Sequence, residues 1–300
     1  MSFLPSVRHL SDQQVRAVRA MAPEIEDADG APPLSDQALV QLSSDSEQIE
    51  HFWLAGTDSH VTGYAQIARA TDAVTGEIAV AVEADRAMAA TRLLDAIEAS
   101  ADRRPILIWS HGQRSPIGPV LAARGYAERR RLLQMSRPLD EVAAATDLPD
   151  VSIRPFRVGV DEPAWLAVNA RAFADHAEQA GYRLADLQAR EAEPWFDPAG
   201  FLLAVDSDGV VLGFHWTKIH AGARGGAPIG EVYVLGVDPA AQGRHLGGAL
   251  LDAGLRHLSN QGVREVMLYS DEANSRAVHL YERSGFSVTG TDTQYLRVPG

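Results

Sequence analysis

The chain has 300 residues, 46% of them hydrophobic, with no cysteine and a formal net charge of −13. That length builds one large domain or two ordinary ones. The charge argues against a general nucleic-acid binder, whose affinity rests on Lys and Arg at phosphates. The absence of cysteine excludes disulfides, thiolate metal sites and a cysteine nucleophile, and no metal is expected. No run approaches the length of a membrane span, and MSFLPSVRHLSDQQ lacks a basic stretch followed by an apolar core. A cytoplasmic protein with no membrane partner is the expectation. A small anionic ligand is not excluded, since it needs only local amides and one or two cations.

In chain order, FWLAGTDSHVTGYAQIARA (from Phe52) alternates apolar and polar residues around a turn and predicts a β-hairpin. GEIAVAV at Gly76 predicts a strand, and the Ala-rich EADRAMAATRLL (from Glu83) a helix. ILIWS (from Ile106) is a short apolar strand, followed by LAARGYAERRRLLQMSRPL from Leu121. The small-residue and polar stretch EVAAATDLPD, Glu141 to Asp150, reads as a join. VSIRPF then restarts with a strand, and PAWLAVNARAFADH has helical spacing. The same order returns: hairpin FLLAVDSDGVVLGFHWTKIH, strand GEVYVLGV at Gly230, a helical pattern, strand EVMLYS from Glu265, and LYERSGFSVTGTDTQYLRV from Leu280. A repeat of roughly 150 residues means duplicated domains, because solenoid units are far shorter. The expected division is 1–145 and 146–300. Each half is mixed α/β, with its parallel step made by a strand–loop–helix–strand unit.

The segment from Gly230 to Leu255 carries the chemistry. It reads as a buried strand, a turn, a glycine-bearing loop and the start of a helix, where backbone amides can hold a pyrophosphate. About thirty residues on comes NSRAVHLYERSGF, Asn274 to Phe286, a helix ending at a glycine stop. Each piece also has a plainer reading. A glycine-rich turn often just precedes an ordinary helix, Asn274 is a good N-cap, VYVLGV is largely core strand, and helical aromatics usually pack.

In this order and spacing the two segments resemble the acetyl-CoA site of the GCN5-related N-acetyltransferases, and two copies of that pattern cover nearly the whole chain. The resemblance implies an α/β fold of two tandem copies, each a mixed, mostly antiparallel sheet flanked by helices. It implies acetyl-CoA as acetyl donor. The family pattern Q/R-x-x-G-x-G/A falls on Gln242, Gly243, Arg244, His245, Leu246 and Gly247, with Gly248 beside it; His245 stands where the pattern has its middle glycine. Leu235, Gly236 and Val237 would offer backbone to the thioester and pantetheine arm, which requires a strand that splays from its neighbour. Gly236 would suit a bulge or a close cofactor approach. Asn274, Ser275, Arg276, Ala277, Val278 and His279 would line the cofactor's other side.

Direct aminolysis of a thioester needs a positioned base and an acid for the leaving thiolate. The resemblance assigns Glu231 as base and Tyr281 as acid. The C-terminal motifs HWTK, GEVYVLGVDPAAQ and WFDP further resemble tandem acetyltransferases that act on the cysteinyl amine of cysteinyl-glucosaminyl-inositol. That implies a small-molecule pocket with Asp36, Glu178, Lys218, Glu231 and Tyr269, in a protein expected to be a monomer. The N-terminal copy has no glycine between Gly76 and Gly112. It is expected not to catalyse and to bind acetyl-CoA poorly, with Arg86 its one cation near a phosphate position, while supplying part of the substrate wall. Other readings are a tandem acetyltransferase for another small amine or a protein N-terminus, and a silent acyl-CoA-binding module.

Overall fold

The computed structural model describes residues 4, 6–44, 46–57, 60–140, 148–174, 181–222 and 226–299. The chain divides into two compact units. One comprises Met1–Leu133, Asp271–Ala273 and Gly290–Gly300; the other comprises Gln134–Ser270 and Asn274–Thr289.

The first unit opens with α1 (Asp12–Asp29), started by a Ser11–Gln14 capping box and stopped by Gly30 in the left-handed conformation. Then follow α2 (Asp36–Gln41), β1 (Ile49–Thr57), β2 (His60–Arg69), β3 (Val74–Val80), α3 (Arg86–Ser100), β4 (Ile106–Ser110), α4 (Ile117–Ala123) and β5 (Ala127–Pro138). The predicted hairpin is β1–β2, antiparallel, and the predicted parallel step is β3–β4. α3 buries Ala89, Ala90, Leu93, Leu94 and Ile97, a helical stripe, on a core that includes Phe52, Ile67, Ile78 and Ile108. The sheet is completed from the far end of the chain. β11 (Ser287–Arg297) runs antiparallel to β4 from Thr293↔Ser110 to Arg297↔Ile106, and its Tyr295 joins the same core.

A charged cluster fastens that strand. His111 Nδ1 lies 3.0 Å from Asp292 Oδ2 on β11, and its Nε2 lies 3.2 Å from Glu77 Oε2 on β3. Burial by itself pushes the imidazole down, but hydrogen bonds and charge from Asp292 and Glu77 outweigh it and lift the pKa to about 10. Glu77 is shifted down: burial opposes this, but His111 and Ser35 prevail. A cation raised above its unfolded value of 6.5 contributes its full stability below that pH. The contribution is lost as pH climbs through about 10. Melting temperature should therefore fall across this window in the wild type. In His111→Gln it should be lower at neutral pH and flat over the same range. Parallel curves for the two proteins would show that His111 is uncharged.

The second unit contains β6 (Val151–Pro155), α5 (Glu162–Ala172), α6 (Leu184–Glu191), β7 (Phe201–Asp206), β8 (Val211–Gly222), β9 (Ala227–Val237), α7 (Leu246–Asn260), β10 (Glu265–Asp271) and α8 (Ser275–Arg283). Its strand order is β10-β9-β8-β7-β6. The predicted hairpin is β7–β8, and the predicted parallel pair is β9–β10. On one face, Trp165 of α5 meets Phe201, Phe214 and Trp216 edge-on, and Phe201 stacks on Trp216 at 4.4 Å. On the other, α7 buries Leu250, Leu251, Leu255 and Leu258. His215 of β8 binds the helix directly, its Nδ1–H donating to the Leu250 carbonyl at 2.8 Å. Burial lowers that imidazole to about 4, so it stays neutral. A Cβ on Gly254 would sit 2.2 Å from the ring, which is why this helical turn has no side chain. These contacts fix where α7 begins.

Candidate active site

β9 is bonded along one edge to β8, from His220↔Ile229 to Gly213↔Val237. Along the other edge its parallel register with β10 runs only from Ile229↔Glu265 to Glu231↔Met267. Beyond Glu231 the two strands part. The remainder of β9, including Leu235, Gly236 and Val237, continues beside β8 alone, so the splay that a thioester arm needs is present. The irregularity in β9 is at Tyr233, the extra residue between Trp216↔Val234 and Thr217↔Val232. It is not at Gly236, where an added Cβ would come within 2.9 Å of the Phe214 ring and 3.1 Å of Phe173. That glycine makes room for two phenylalanines.

Asp238 follows β9, and its carboxylate accepts from Ala240 N and is held by Arg171 of α5 at 2.8 and 2.6 Å. The loop then exposes Gln242, Gly243, Arg244 and His245 before Leu246 opens α7. Gly243 has φ +83°, and His245, the N-cap, has φ 60° and ψ 14°. The pattern's middle glycine thus falls on a left-handed residue, and a histidine there bears a strain of about 1 kcal/mol. His245→Gly should raise stability by up to about that amount in urea unfolding. A loss of stability would show that the imidazole has a compensating contact.

The His245 side chain does not cap α7, which leaves its first amides at the positive end of the helix dipole. Around Gly247 and Gly248 an added Cβ would meet only Leu280 and Val237, at 3.5 Å or more, and Gly243 has nothing within 4 Å. The protein's own packing does not require these glycines. They leave open backbone of the kind a pyrophosphate fills. α8 borders the opening: Asn274 caps it by accepting from Ala277 N, Arg276 donates to Gln242 Oε1, and His279 bonds the Ser275 carbonyl. Ser275 is exposed, while Ala277 and Val278 are half-buried. The two predicted cofactor segments are therefore in contact.

Glu231 is 8% exposed and stands in a row of three strands, Lys218–Glu231–Met267. Its Oε2 accepts from His220 Nε2 at 2.7 Å. Lys218 Nζ lies over the rings of Trp195 at 5.1 Å and Tyr233 at 5.5 Å. Tyr269 is on β10 two residues past the last paired row and is partly exposed. Tyr281 is buried on α8, edge-on to Phe286. Burial alone pushes its phenol up, so it holds its proton throughout the physiological range. Asp36 begins α2 in the first unit. Glu178 lies outside the described residues.

The model of the acetyltransferase (GNAT) family matches residues 165–286, a span that includes every one of these second-unit positions. The chain is 43% identical to the mycothiol acetyltransferase of Thermobifida fusca, over 100% of this chain and 99% of that protein. It is 46% identical to that of Thermomonospora curvata, over 97% of this chain and 96% of the relative. The chain belongs to the mycothiol acetyltransferases. Solved structures agree on the fold. A GCN5-related N-acetyltransferase from Sphaerobacter thermophilus superposes with a TM-score of 0.71 over 98% of this chain and 96% of its own, at 21% identity. A tandem GNAT protein from the clavulanic acid biosynthesis pathway gives 0.71 over 98% of both chains, at 16% identity. This is an α/β tandem acetyltransferase, an acyltransferase of a family that uses acetyl-CoA.

Within this mycothiol acetyltransferase family member, the first unit repeats the scaffold with different contents. Glu77 holds the register position of Glu231: it lies between Gln66 and Trp109, as Glu231 lies between Lys218 and Met267. Its oxygens are taken by Ser35 N and Oγ, both at 2.6 Å, and by His111. β2 and β3 pair without a register break, and Asp85 caps α3 by accepting from Met88 N. Arg86, expected near a phosphate position, is committed to Asp29 at the end of α1 through two bonds of 2.7 and 2.6 Å. Its charge is already matched.

Sequence reasoning missed four contributors: His220, Trp195, Tyr233 and the Arg171–Asp238 pair. The signal for His220 was present, since strand alternation in HWTKIH puts Lys218 and His220 on one face.

Proposed function

We propose that this chain transfers the acetyl group of acetyl-CoA to the cysteinyl amine of cysteinyl-glucosaminyl-inositol, the step that yields mycothiol. The observation that carries the reading is the parting of β9 from β10 directly after the Glu231 row, beside a glycine-lined, uncapped helix start. Acetyl-CoA, when bound, supplies an acyl thioester. Gly243, Arg244, His245, Leu246, Gly247 and Gly248 hold its pyrophosphate, with Gln242 and the Asn274–His279 segment alongside. Leu235, Gly236 and Val237 offer main-chain hydrogen bonds to the acyl arm, and an amide aimed at the acyl oxygen stabilises charge as it develops.

Glu231 takes the proton that the attacking amine gives up. Tyr281 hydrogen-bonds the departing sulfur and supplies its proton. Lys218, Glu231 and Tyr269 meet the polyhydroxylated acceptor, the carboxylate accepting from hydroxyls and the ammonium donating to them. We assign the chemistry to residues 146–300 and a non-catalytic role to residues 1–145. The clamped Glu77, the capped α3 and the occupied Arg86 support that division.

The test is an acceptor panel at saturating acetyl-CoA: cysteinyl-glucosaminyl-inositol, free cysteine, glucosaminyl-inositol and a peptide N-terminus. The expected result is a kcat/KM for the full conjugate far above that for the fragments. A higher value for the peptide would replace this reading with protein N-terminal acetylation. Binding of acetyl-CoA without transfer to any amine would replace it with a silent module.

A further inference from the structure

Glu231 is not a lone carboxylate, and the difference bears on how it works. Three strands set two adjacent rows on the α5–α6 face of the second unit: His220–Ile229–Glu265 and Lys218–Glu231–Met267. His220 reaches diagonally from its row to Glu231, Nε2 to Oε2 at 2.7 Å. The Glu231 side chain is 11% exposed and that of His220 is 30% exposed, so the imidazole is the more solvent-accessible partner. A carboxylate accepts, so Nε2 carries the hydrogen and donates. That engages Oε2, leaves Oε1 for the acceptor amine, and leaves Nδ1 as a basic nitrogen in the neutral ring.

We propose that His220 is a positioning and proton-storing residue for the acetyl transfer, and that Glu231 and His220 act as one base. The inference rests on the functional reading above, which makes Glu231 the base. In transfer a C–N bond forms, the C–S bond breaks, one proton leaves nitrogen and one reaches sulfur. Tyr281 serves the sulfur. On the nitrogen side, Glu231 Oε1 receives the proton. The pair then settles as carboxylate and imidazolium, with Nδ1 protonated through solvent, and the imidazolium later releases that proton to bulk water.

The gain is geometric: with Nε2 donating to Oε2, the imidazole holds the carboxylate in place and offers Nδ1 as a second proton acceptor beside it. Among the described residues, the other titratable or charged groups on this face include Lys218 on β8, Tyr233 on β9, Glu265 and Tyr269 on β10, and Tyr182 and Arg190 from the α6 side. Lys218 sits over aromatic rings, and on this face the imidazole can donate from one ring nitrogen while accepting a proton at the other.

His220→Ala should lower kcat by about 10- to 100-fold with the KM for acetyl-CoA unchanged, and added imidazole should restore part of the loss. His220→Gln keeps an N–H donor but cannot store a proton. It should keep the wild-type acceptor KM while lacking the imidazole ionisation in the pH profile of kcat. A second readout is independent of turnover: the Glu231 carboxyl carbon, followed by 13C NMR with Glu231→Gln for assignment. It should sense the ionisation of the imidazole as a second titration in the wild type and lose it in His220→Ala. Wild-type kcat and pH profile in both variants, or an unaltered carboxyl titration, would overturn the pairing. If the wild type acetylates no amine, the functional reading fails, and the NMR titration alone decides the pairing.

Discussion

Glu231→Gln is expected to lower kcat by about 10²- to 10⁴-fold and leave the KM for acetyl-CoA unchanged. The amide keeps the shape and can still bond His220, so the strand row Lys218–Glu231–Met267 should persist. What is lost is the ability to take a proton. A cysteinyl amine resembles a chain-terminal amine of pKa about 8, so roughly a tenth is neutral at pH 7. The deficit should therefore shrink as pH rises through about 8, where solvent removes more of the burden. A deficit that stayed constant over that range would mean that Glu231 binds the acceptor without acting on its proton. Steady-state kinetics with acetyl-CoA and acceptor varied separately distinguish the two.

Tyr281→Phe is expected to cost about 100-fold in kcat without loss of stability. The ring is buried and packs edge-on against Phe286, contacts that phenylalanine retains. The upward shift of its phenol comes from burial alone, with no contribution from a neighbouring charge or hydrogen bond. Removing the hydroxyl should leave the melting temperature equal or slightly higher, because a buried polar group is removed. Activity and stability thus move independently, which a purely structural tyrosine would not allow. Wild-type kcat in this variant would remove Tyr281 from the chemistry.

The parts of the site legible in the sequence were those written in backbone chemistry. Gly243, Gly247 and Gly248 stand out because open amides exclude side chains. The hairpins and the parallel steps follow from alternation and short apolar runs. What stayed hidden depends on which residues a register or a long-range pairing brings together. His220 meets Glu231 across a hairpin, and the bulge that shifts the pairing is at Tyr233 rather than at the conspicuous Gly236. Asp29 reaches Arg86 across 57 positions, beyond any local pattern. The placement of β11 is likewise invisible locally. β11 has the alternation of any edge-pairing strand, and nothing within it says that its partner is β4.

The most direct test of the account is a rapid-quench single turnover with radiolabelled acetyl-CoA and cysteinyl-glucosaminyl-inositol, comparing the wild type with the double variant Glu231→Gln/Tyr281→Phe. Label should pass straight to the acceptor amine, with no acetyl-enzyme at any time, and the double variant should show no transfer above the uncatalysed rate. Label trapped on the protein, or a double variant that retains the wild-type rate, would contradict it; the latter would assign the chemistry to the first copy.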